Sequence, residues 1–154
     1  MEKSDARDEK FMREALRLAD LAALLDEVPV GCVIVKNDKV IAGAYNRREN
    51  FNDPLGHAET VAIKRAARIL NDWQLVDCEL YVTIEPCIMC AGAIIQSRIK
   101  RVVFGADELK GGAFGSSINV LVAQNINHRP EIVKGVLKDE CAELIKNYFK
   151  SKRK

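Results

Sequence analysis

Helical and β-rich segments alternate along this chain after an opening hairpin, and that order limits its fold more than any other feature. Residues 6–25 place Phe11, Ala15, Leu18, Ala22 and Leu25 on one helical stripe. Ser4 or Asp5 is placed to cap that helix, and Asp8 and Glu9 suit its first turn. Pro29–Val35 and Lys39–Tyr45 are β-rich runs separated by Asn37-Asp38, the pattern of a hairpin. Residues 46–56 have the composition of a loop. A helix follows over 57–70 with Ala58, Val61, Ala62, Ile69 and Leu70 inward, then a strand over Glu79–Ile84. Pro86 suits the entry to a helix over 87–98, and Arg101–Gly105 is a strand again. Gly111, Gly112 and Gly115 mark a mobile or tightly turning loop. A last strand over Glu131–Leu137 precedes a helix over Lys138–Phe149 that buries Cys141, Leu144, Ile145 and Tyr148. The expectation is a three-layer α/β/α domain on a central mixed five-stranded sheet.

At 154 residues the chain is the size of one domain, expected to span 1–154 with a basic end at about 150–154. Apolar residues at 48% and charged residues at 30% are ordinary globular values and exclude a disordered chain. A net charge of +2 is too even to mark a nucleic-acid binder by itself. The longest charge-free stretch, Gly111–Asn127, is broken by glycines, serines and asparagines, so no membrane span is expected. The charged opening Met1–Lys10 does not read as a secretory signal, and five cysteines, an odd number, argue against a disulfide framework. A cytoplasmic protein is expected.

Two short motifs carry the chemistry. His57-Ala58-Glu59 opens one helix after a loop, and Pro86-Cys87-Ile88-Met89-Cys90 opens another after a strand. Cys87 and Cys90, at i and i+3, share one face of a first turn. The positive end of the helix favours the thiolates that a metal needs. With His57 as a nitrogen ligand, the donor set suits one zinc ion better than magnesium or calcium. Cys78 lies too far along its strand to join, while Cys32 and Cys141 read as core residues. His128, in a polar loop, remains a candidate fourth ligand. The simplest count is three protein ligands and one water, the pattern of a catalytic zinc.

Glu59 gives an open position a use. A carboxylate at the start of the same helix can take a proton from water and return it to a substrate. Water attack at an amidine-type carbon, protonation of the ring nitrogen and loss of ammonia would then make a hydrolytic deamination. A lone Cys-x-x-Cys at a helix start also describes a thiol redox site, and it is the combination with His57 and Glu59 that favours the metal. The joint signature, His-x-Glu followed by Pro-Cys-x-x-Cys, is that of the zinc nucleobase deaminases.

Longer strings narrow the resemblance. They are Glu27-Val28-Pro29-Val30-Gly31, Tyr45-Asn46-Arg47, Asp53-Pro54, the run from Leu80 to Ala93, Ser97-Arg98-Ile99, Arg101–Gly105 and Asn127-His128-Arg129. From about Glu27 to Phe149 the chain resembles the bacterial-type tRNA-specific adenosine deaminases, which convert a wobble adenosine to inosine. The resemblance implies a cytidine deaminase-like fold, a homodimer and a tRNA anticodon stem-loop as partner, that of a tRNA-Arg. It implies zinc on His57, Cys87 and Cys90, with Glu59 moving protons. Asn46 resembles a residue that hydrogen-bonds the flipped nucleotide, and Val28, Pro29, Ala58 and Ile84 resemble pocket walls. Leu55-Gly56 and Glu108 depart from the usual pattern.

Charge placement is compatible with RNA. Arg47, Arg48 and Lys110 flank the motifs, and Lys146–Lys154 holds five basic residues and no acid, among them Lys150, Lys152 and Arg153. These are candidate phosphate contacts, although a basic end is also the composition of a solvated terminus. Two other functions remain open at this stage. One is a deaminase of a free base or nucleoside such as guanine or cytosine. The other is a non-catalytic zinc or thiol module that binds RNA or a protein.

Overall fold

A computed structural model describes residues 6–152. The proposed caps Ser4 and Asp5, and Arg153 and Lys154, lie outside them. The elements run α1 (Ala6–Leu24), β1 (Gly31–Lys36), β2 (Lys39–Tyr45), α2 (Ala58–Leu70), β3 (Cys78–Ile84), α3 (Ile88–Gln96), β4 (Arg101–Ala106), β5 (Glu131–Lys134) and α4 (Lys138–Lys152). The sheet order is β2-β1-β3-β4-β5. β1 is antiparallel to both β2 and β3, whereas β3, β4 and β5 are parallel. This is the mixed five-stranded sheet that the alternation of elements predicts.

The hairpin forms because Asn37 and Asp38 both take positive φ, 52° and 61°. That geometry matches the right-handed twist of the two strands it joins. Alternate residues of the central strands then feed two cores. Cys32, Ile34, Leu80, Val82 and Phe104 pack with Ala58, Ala62 and Ala66 of α2 and Ile94 of α3. Val33, Val35, Tyr81 and Val103 face Phe11, Met12 and Ala15 of α1 and Cys141 of α4. One glycine is required by close approach. A Cβ on Gly31 would lie 1.9 Å from the Ala15 carbonyl oxygen, so α1 can rest on β1 only without a side chain there.

Several boundaries differ from expectation. Leu25 lies beyond α1 and is exposed, and the buried stripe runs through Phe11, Met12, Ala15, Ala19 and Ala22. Ile69 is exposed, whereas Leu70, like Ile63 and Ala67, packs half-buried against the core. β5 stops at Lys134, before Gly135 with φ 87°. In α4 Cys141 alone is fully buried, and Leu144, Ile145 and Tyr148 are half-covered. The basic end is also not a loose tail as far as it is described, since Lys150 and Lys152 continue this helix.

The amino ends of β3 and β4 are tied to α1 by a buried charge network. Arg101 donates to both oxygens of Asp8, at 2.8 and 2.7 Å, and to Glu79 at 2.9 Å. The Tyr81 hydroxyl donates to Asp8 at 2.6 Å, and Arg7 also bonds Glu79. Burial alone would raise both carboxyls, but hydrogen bonds from Arg101 and Tyr81 to Asp8, and from Arg7 and Arg101 to Glu79, hold them below the ordinary carboxylate range. Removing one partner of a buried pair strands a charge. Arg101→Ala is therefore expected to cost about 3–5 kcal/mol in urea unfolding at pH 7. Groups with depressed values contribute fully above the unfolded value near 4 and lose that contribution as pH falls through the folded values. The gap between wild type and Arg101→Ala should accordingly shrink in titrations carried below about pH 4.

Candidate active site

The carboxyl end of β3 runs through Glu85 and Pro86 into α3, at the rim where α/β sheets bind ligands. Cys87 is the N-cap of α3 and Cys90 lies in its first turn, while His57 is the N-cap of α2. Two helix N-termini therefore meet at one point, each with its positive end toward it. His57 Nδ1 lies 3.7 Å from Cys87 Sγ and 3.5 Å from Cys90 Sγ, and the three donor atoms fall within 4.8 Å of one another. A tetrahedral zinc bonded to nitrogen at about 2.0 Å and sulfur at about 2.3 Å would separate those atoms by roughly 3.6 Å. The donor set and its spacing fit that ion.

The remaining cysteines and His128 stand apart from this cluster. His128 donates from Nε2 to the Ile99 carbonyl at 2.6 Å. Cys32, Cys78 and Cys141 are buried core thiols. Among the described residues His57, Cys87 and Cys90 alone form a candidate metal group.

Electrostatics mark the same point. Hydrogen bonds from the Cys90 thiol and then from His57 hold the Cys87 thiol down to about 3, against the effect of burial. The bond to Cys87, reinforced by burial, pushes the Cys90 thiol up. The Cys87 bond also raises His57. Glu59, in the first turn of α2, is only 3% exposed, and burial pushes its carboxyl up to about 7. A carboxyl with that value gives and takes protons readily near neutral pH.

A cavity of about 230 Å³ opens onto this cluster. It is smaller than the ~300–1,000 Å³ of drug-sized sites, which suits one base-sized group. Its lining includes Val28, Asn46, Arg48, Ala58, Glu59 and Ile84, together with His57 and Cys87. Asn46 is largely buried; its amide donates to the Val28 carbonyl at 3.3 Å and its oxygen accepts from the Arg48 N–H at 3.3 Å. One amide hydrogen and one lone pair of Asn46 are left over by those two bonds.

Pro29 is buried and does not line the cavity, whereas its neighbours Val28 and Val30 both do. A tight turn centred on Pro29, closed by the Val30 N–H on the Val28 carbonyl at 2.9 Å, directs the three side chains apart. Of the expected phosphate contacts, only Arg48 reaches the cavity. Arg47 lies over the Phe51 ring at 4.6 Å, Lys110 and Lys150 are exposed, and Lys152 pairs with Asp26.

Val30, Glu85, Glu108, Ile145 and Phe149 also line the cavity. Ile145 and Phe149 come from α4, whose periodicity points equally well to a core. Glu85 had a visible signal, an acid at the end of an apolar strand just before Pro86. Its buried carboxylate accepts N–H bonds from Glu108, Phe114 and Ser116 at 3.1, 3.0 and 3.1 Å. Burial would raise it, but these bonds, with one from the Ser116 side chain, keep it low. A Cβ on Gly112 would sit 2.4 Å from the same carboxylate, so the glycine-rich loop wraps an anion.

Residues 6–153 match the family model of the MafB19-like deaminases. Over 148 residues the chain is 44% identical to a tRNA-specific adenosine deaminase of Bacillus subtilis (strain 168), a match covering 96% of this chain and 92% of that protein. Among solved structures it is similar to one from a study of A-to-I editing by tRNA:A34 deaminases at the wobble position of transfer RNA. That match has a TM-score of 0.85 at 41% identity, over 88% of this chain and 98% of the other. It is also similar to the guanine deaminase from Nitrosomonas europaea, with a TM-score of 0.79 at 25% identity over 91% and 83% of the two chains.

Glu85→Gln should loosen the glycine-rich loop, because an amide NH2 would face N–H donors. An unsatisfied buried group costs about 1–3 kcal/mol, so protection of the Glu108, Phe114 and Ser116 amides should fall roughly 5- to 150-fold. Hydrogen exchange reads this directly, and faster tryptic cleavage at the exposed Lys110 should accompany it.

Proposed function

Because the chain belongs to the MafB19-like deaminase family and, within it, to the tRNA-specific adenosine deaminases, we propose that it converts the wobble adenosine of a tRNA anticodon loop to inosine by zinc-dependent hydrolytic deamination. The observation that carries this reading is the buried Glu59 beside an open His57–Cys87–Cys90 group in a cavity sized for one base. A zinc ion held by those three residues supplies Lewis acidity that makes water nucleophilic at neutral pH.

The chain's own residues do the rest. Glu59 takes a proton from the attacking water and delivers it to N1 of adenine as the new C6–O bond forms. It then carries the second proton to the exocyclic amine, the C6–N bond breaks, and ammonia leaves with inosine as product. Asn46 uses its remaining donor and acceptor on the flipped nucleotide, while Val28, Ala58 and Ile84 enclose the base; Pro29 backs that wall. Arg48 at the rim, with the exposed Lys110 and Lys150, offers phosphate contacts. Arg47, Lys152 and Arg153 extend that set, Lys152 with the N–H donors that its pairing with Asp26 leaves over.

The proposed partner is the anticodon stem-loop of a tRNA-Arg, bound by a homodimer in the cytoplasm. No helix among the described residues is long and apolar enough to cross a membrane. The likeness to a guanine deaminase keeps a free-base reading in view, and substrate choice separates the two.

Cys87→Ala should lose bound metal and thermal stability together, since metal binding is coupled to folding of its site. Glu59→Ala should keep its zinc, measured by metal analysis, and lose at least the roughly 10²–10⁴-fold contributed by general acid–base catalysis. Retention of full zinc by Cys87→Ala, or near-normal turnover by Glu59→Ala, would remove these assignments.

With an anticodon stem-loop carrying adenosine at position 34, the enzyme should form inosine with a kcat/KM far above that for free adenosine. Flanking contacts are available to orient the base only in the loop. Efficient deamination of free guanine or cytidine with no inosine in the stem-loop would favour the free-base reading instead.

A further inference from the structure

The string Glu27-Val28-Pro29-Val30-Gly31 gives Val28 and Val30 to the cavity, yet its first residue has no part in the chemistry above. Glu27 is nevertheless fully buried, at 0% exposure. Both of its carboxylate oxygens are taken by one loop. The Glu49 N–H donates to Oε1 at 3.1 Å, and the Asn50 N–H and side-chain amide donate to Oε2 at 2.6 and 2.8 Å. The Asn50 amide also donates to the Leu25 carbonyl at 2.9 Å.

That loop, residues 46–56, contains neither helix nor strand, and it carries Asn46 and Arg48 to the cavity. Its own turns shape it, with the Arg47 N–H on the Gly56 carbonyl and the Asp53 N–H on the Arg48 carbonyl, both at 2.9 Å. A buried carboxylate fastens that shaped loop to the turn that bears Glu27, because any withdrawal of the loop would leave the charge uncompensated. The turn that bears Glu27 is itself braced from the other side. The Tyr148 hydroxyl donates to the Asp26 carbonyl at 3.2 Å, and the Lys152 ammonium pairs with the Asp26 carboxylate. Tyr148 and Lys152 belong to α4, the helix that brings Ile145 and Phe149 to the cavity. Residues 25–28 thus connect two walls of one pocket.

We propose that Glu27 is a positioning residue for the reaction: its buried carboxylate holds the 46–56 loop so that Asn46 and Arg48 meet a bound RNA nucleotide. The proposal rests on the RNA-loop reading given above. Glu27 itself touches neither substrate nor metal ligands; it acts through the loop. Glu85 serves the glycine-rich loop in the same chemical manner, which makes the pocket rim the product of two buried carboxylates.

The test uses the zinc-loaded full chain, Glu27→Gln and Glu27→Asp, and a stem-loop with adenosine at position 34. Glutamine keeps the volume but turns an NH2 toward N–H donors, whereas aspartate keeps the charge at shorter reach. In Glu27→Gln the Glu49 and Asn50 amides should exchange at least ~10-fold faster, with amides of α1, α2 and β3 unchanged. KM for the stem-loop should rise about 10- to 100-fold with a much smaller fall in kcat, and Glu27→Asp should lie between.

A merely structural role predicts the opposite split, namely fewer active molecules at unchanged KM and faster exchange throughout. That result, or exchange of the loop unchanged from wild type, overturns the proposal. Should Glu27→Gln fail to fold, Glu27→Asp decides by the same two readouts. A wild-type chain that makes no inosine from the stem-loop overturns the RNA reading itself. A wild type that makes it, with KM unaltered in both variants, overturns the role of Glu27 alone.

Discussion

Two helix N-termini aimed at the same few cubic ångströms set the terms for this structure. Each carries roughly half a positive charge, and bringing two together is unfavourable unless something negative sits between them. The chain supplies it with thiol chemistry: Cys87 begins α3, Cys90 lies in its first turn, and hydrogen bonds keep the Cys87 thiol far below its ordinary value. His57, beginning α2, completes the group from the other helix. The arrangement needs α2 and α3 on the same face of the sheet with β3 between β1 and β4, which the observed strand order provides. The buried network of Arg101, Asp8, Glu79 and Tyr81 fastens the far ends of β3 and β4, so the register that delivers Glu85 and Cys87 to the site is secured at a distance.

Around this rigid centre the pocket rim is made of loops, and loops need an organiser. Here the organiser is the same device twice. Glu27 gathers N–H groups of the 46–56 loop, and Glu85 gathers those of the loop from Glu108 to Ser116. A carboxylate can accept about four hydrogen bonds, so one buried acid can fix several residues that have no secondary structure of their own. Such positioning favours catalysis by sparing reorganisation when substrate arrives.

What could be read from the residues was local. The hairpin at Asn37-Asp38 depends on two adjacent backbone conformations, and the metal group on motifs spaced for helix starts; short-range patterns contain both. The partners of Glu27 and Glu85 lie 22 to 31 residues away in sequence, and nothing in the spacing names them. Pro29 shows a subtler limit. The segment resembles a pocket wall, but it precedes β1 and turns at Pro29, where the Val30 N–H bonds the Val28 carbonyl, so which side chains face the cavity depends on that turn. The last helix shows a third. Its apolar stripe signals that the face is covered without saying whether by core or by a cavity, and Ile145 lines the cavity.

The division between centre and rim bears on how substrate is chosen. With zinc held as proposed by the His57–Cys87–Cys90 group, beside a carboxyl near 7, the chemistry would require only a ring carbon that bears an exocyclic amine beside a protonatable nitrogen, so such a centre would discriminate weakly among bases. Likeness of fold extends both to a tRNA:A34 deaminase and to a guanine deaminase, which is what a shared centre would allow. Discrimination must then come from groups that meet parts of the substrate away from the reacting carbon. The cavity-lining residues proposed for that part are Asn46 and Arg48 on one loop, Glu108 on the other, and Ile145 and Phe149 on α4. The cavity holds about one base, so whatever adjoins that base must lie against this rim. A free base would leave the rim groups without partners, whereas a splayed RNA loop supplies phosphates and neighbouring bases to meet them. Binding free energy gathered at the rim can be used to orient the reacting carbon at the centre. On the proposed role of the rim, the buried acids that hold it serve specificity as much as stability.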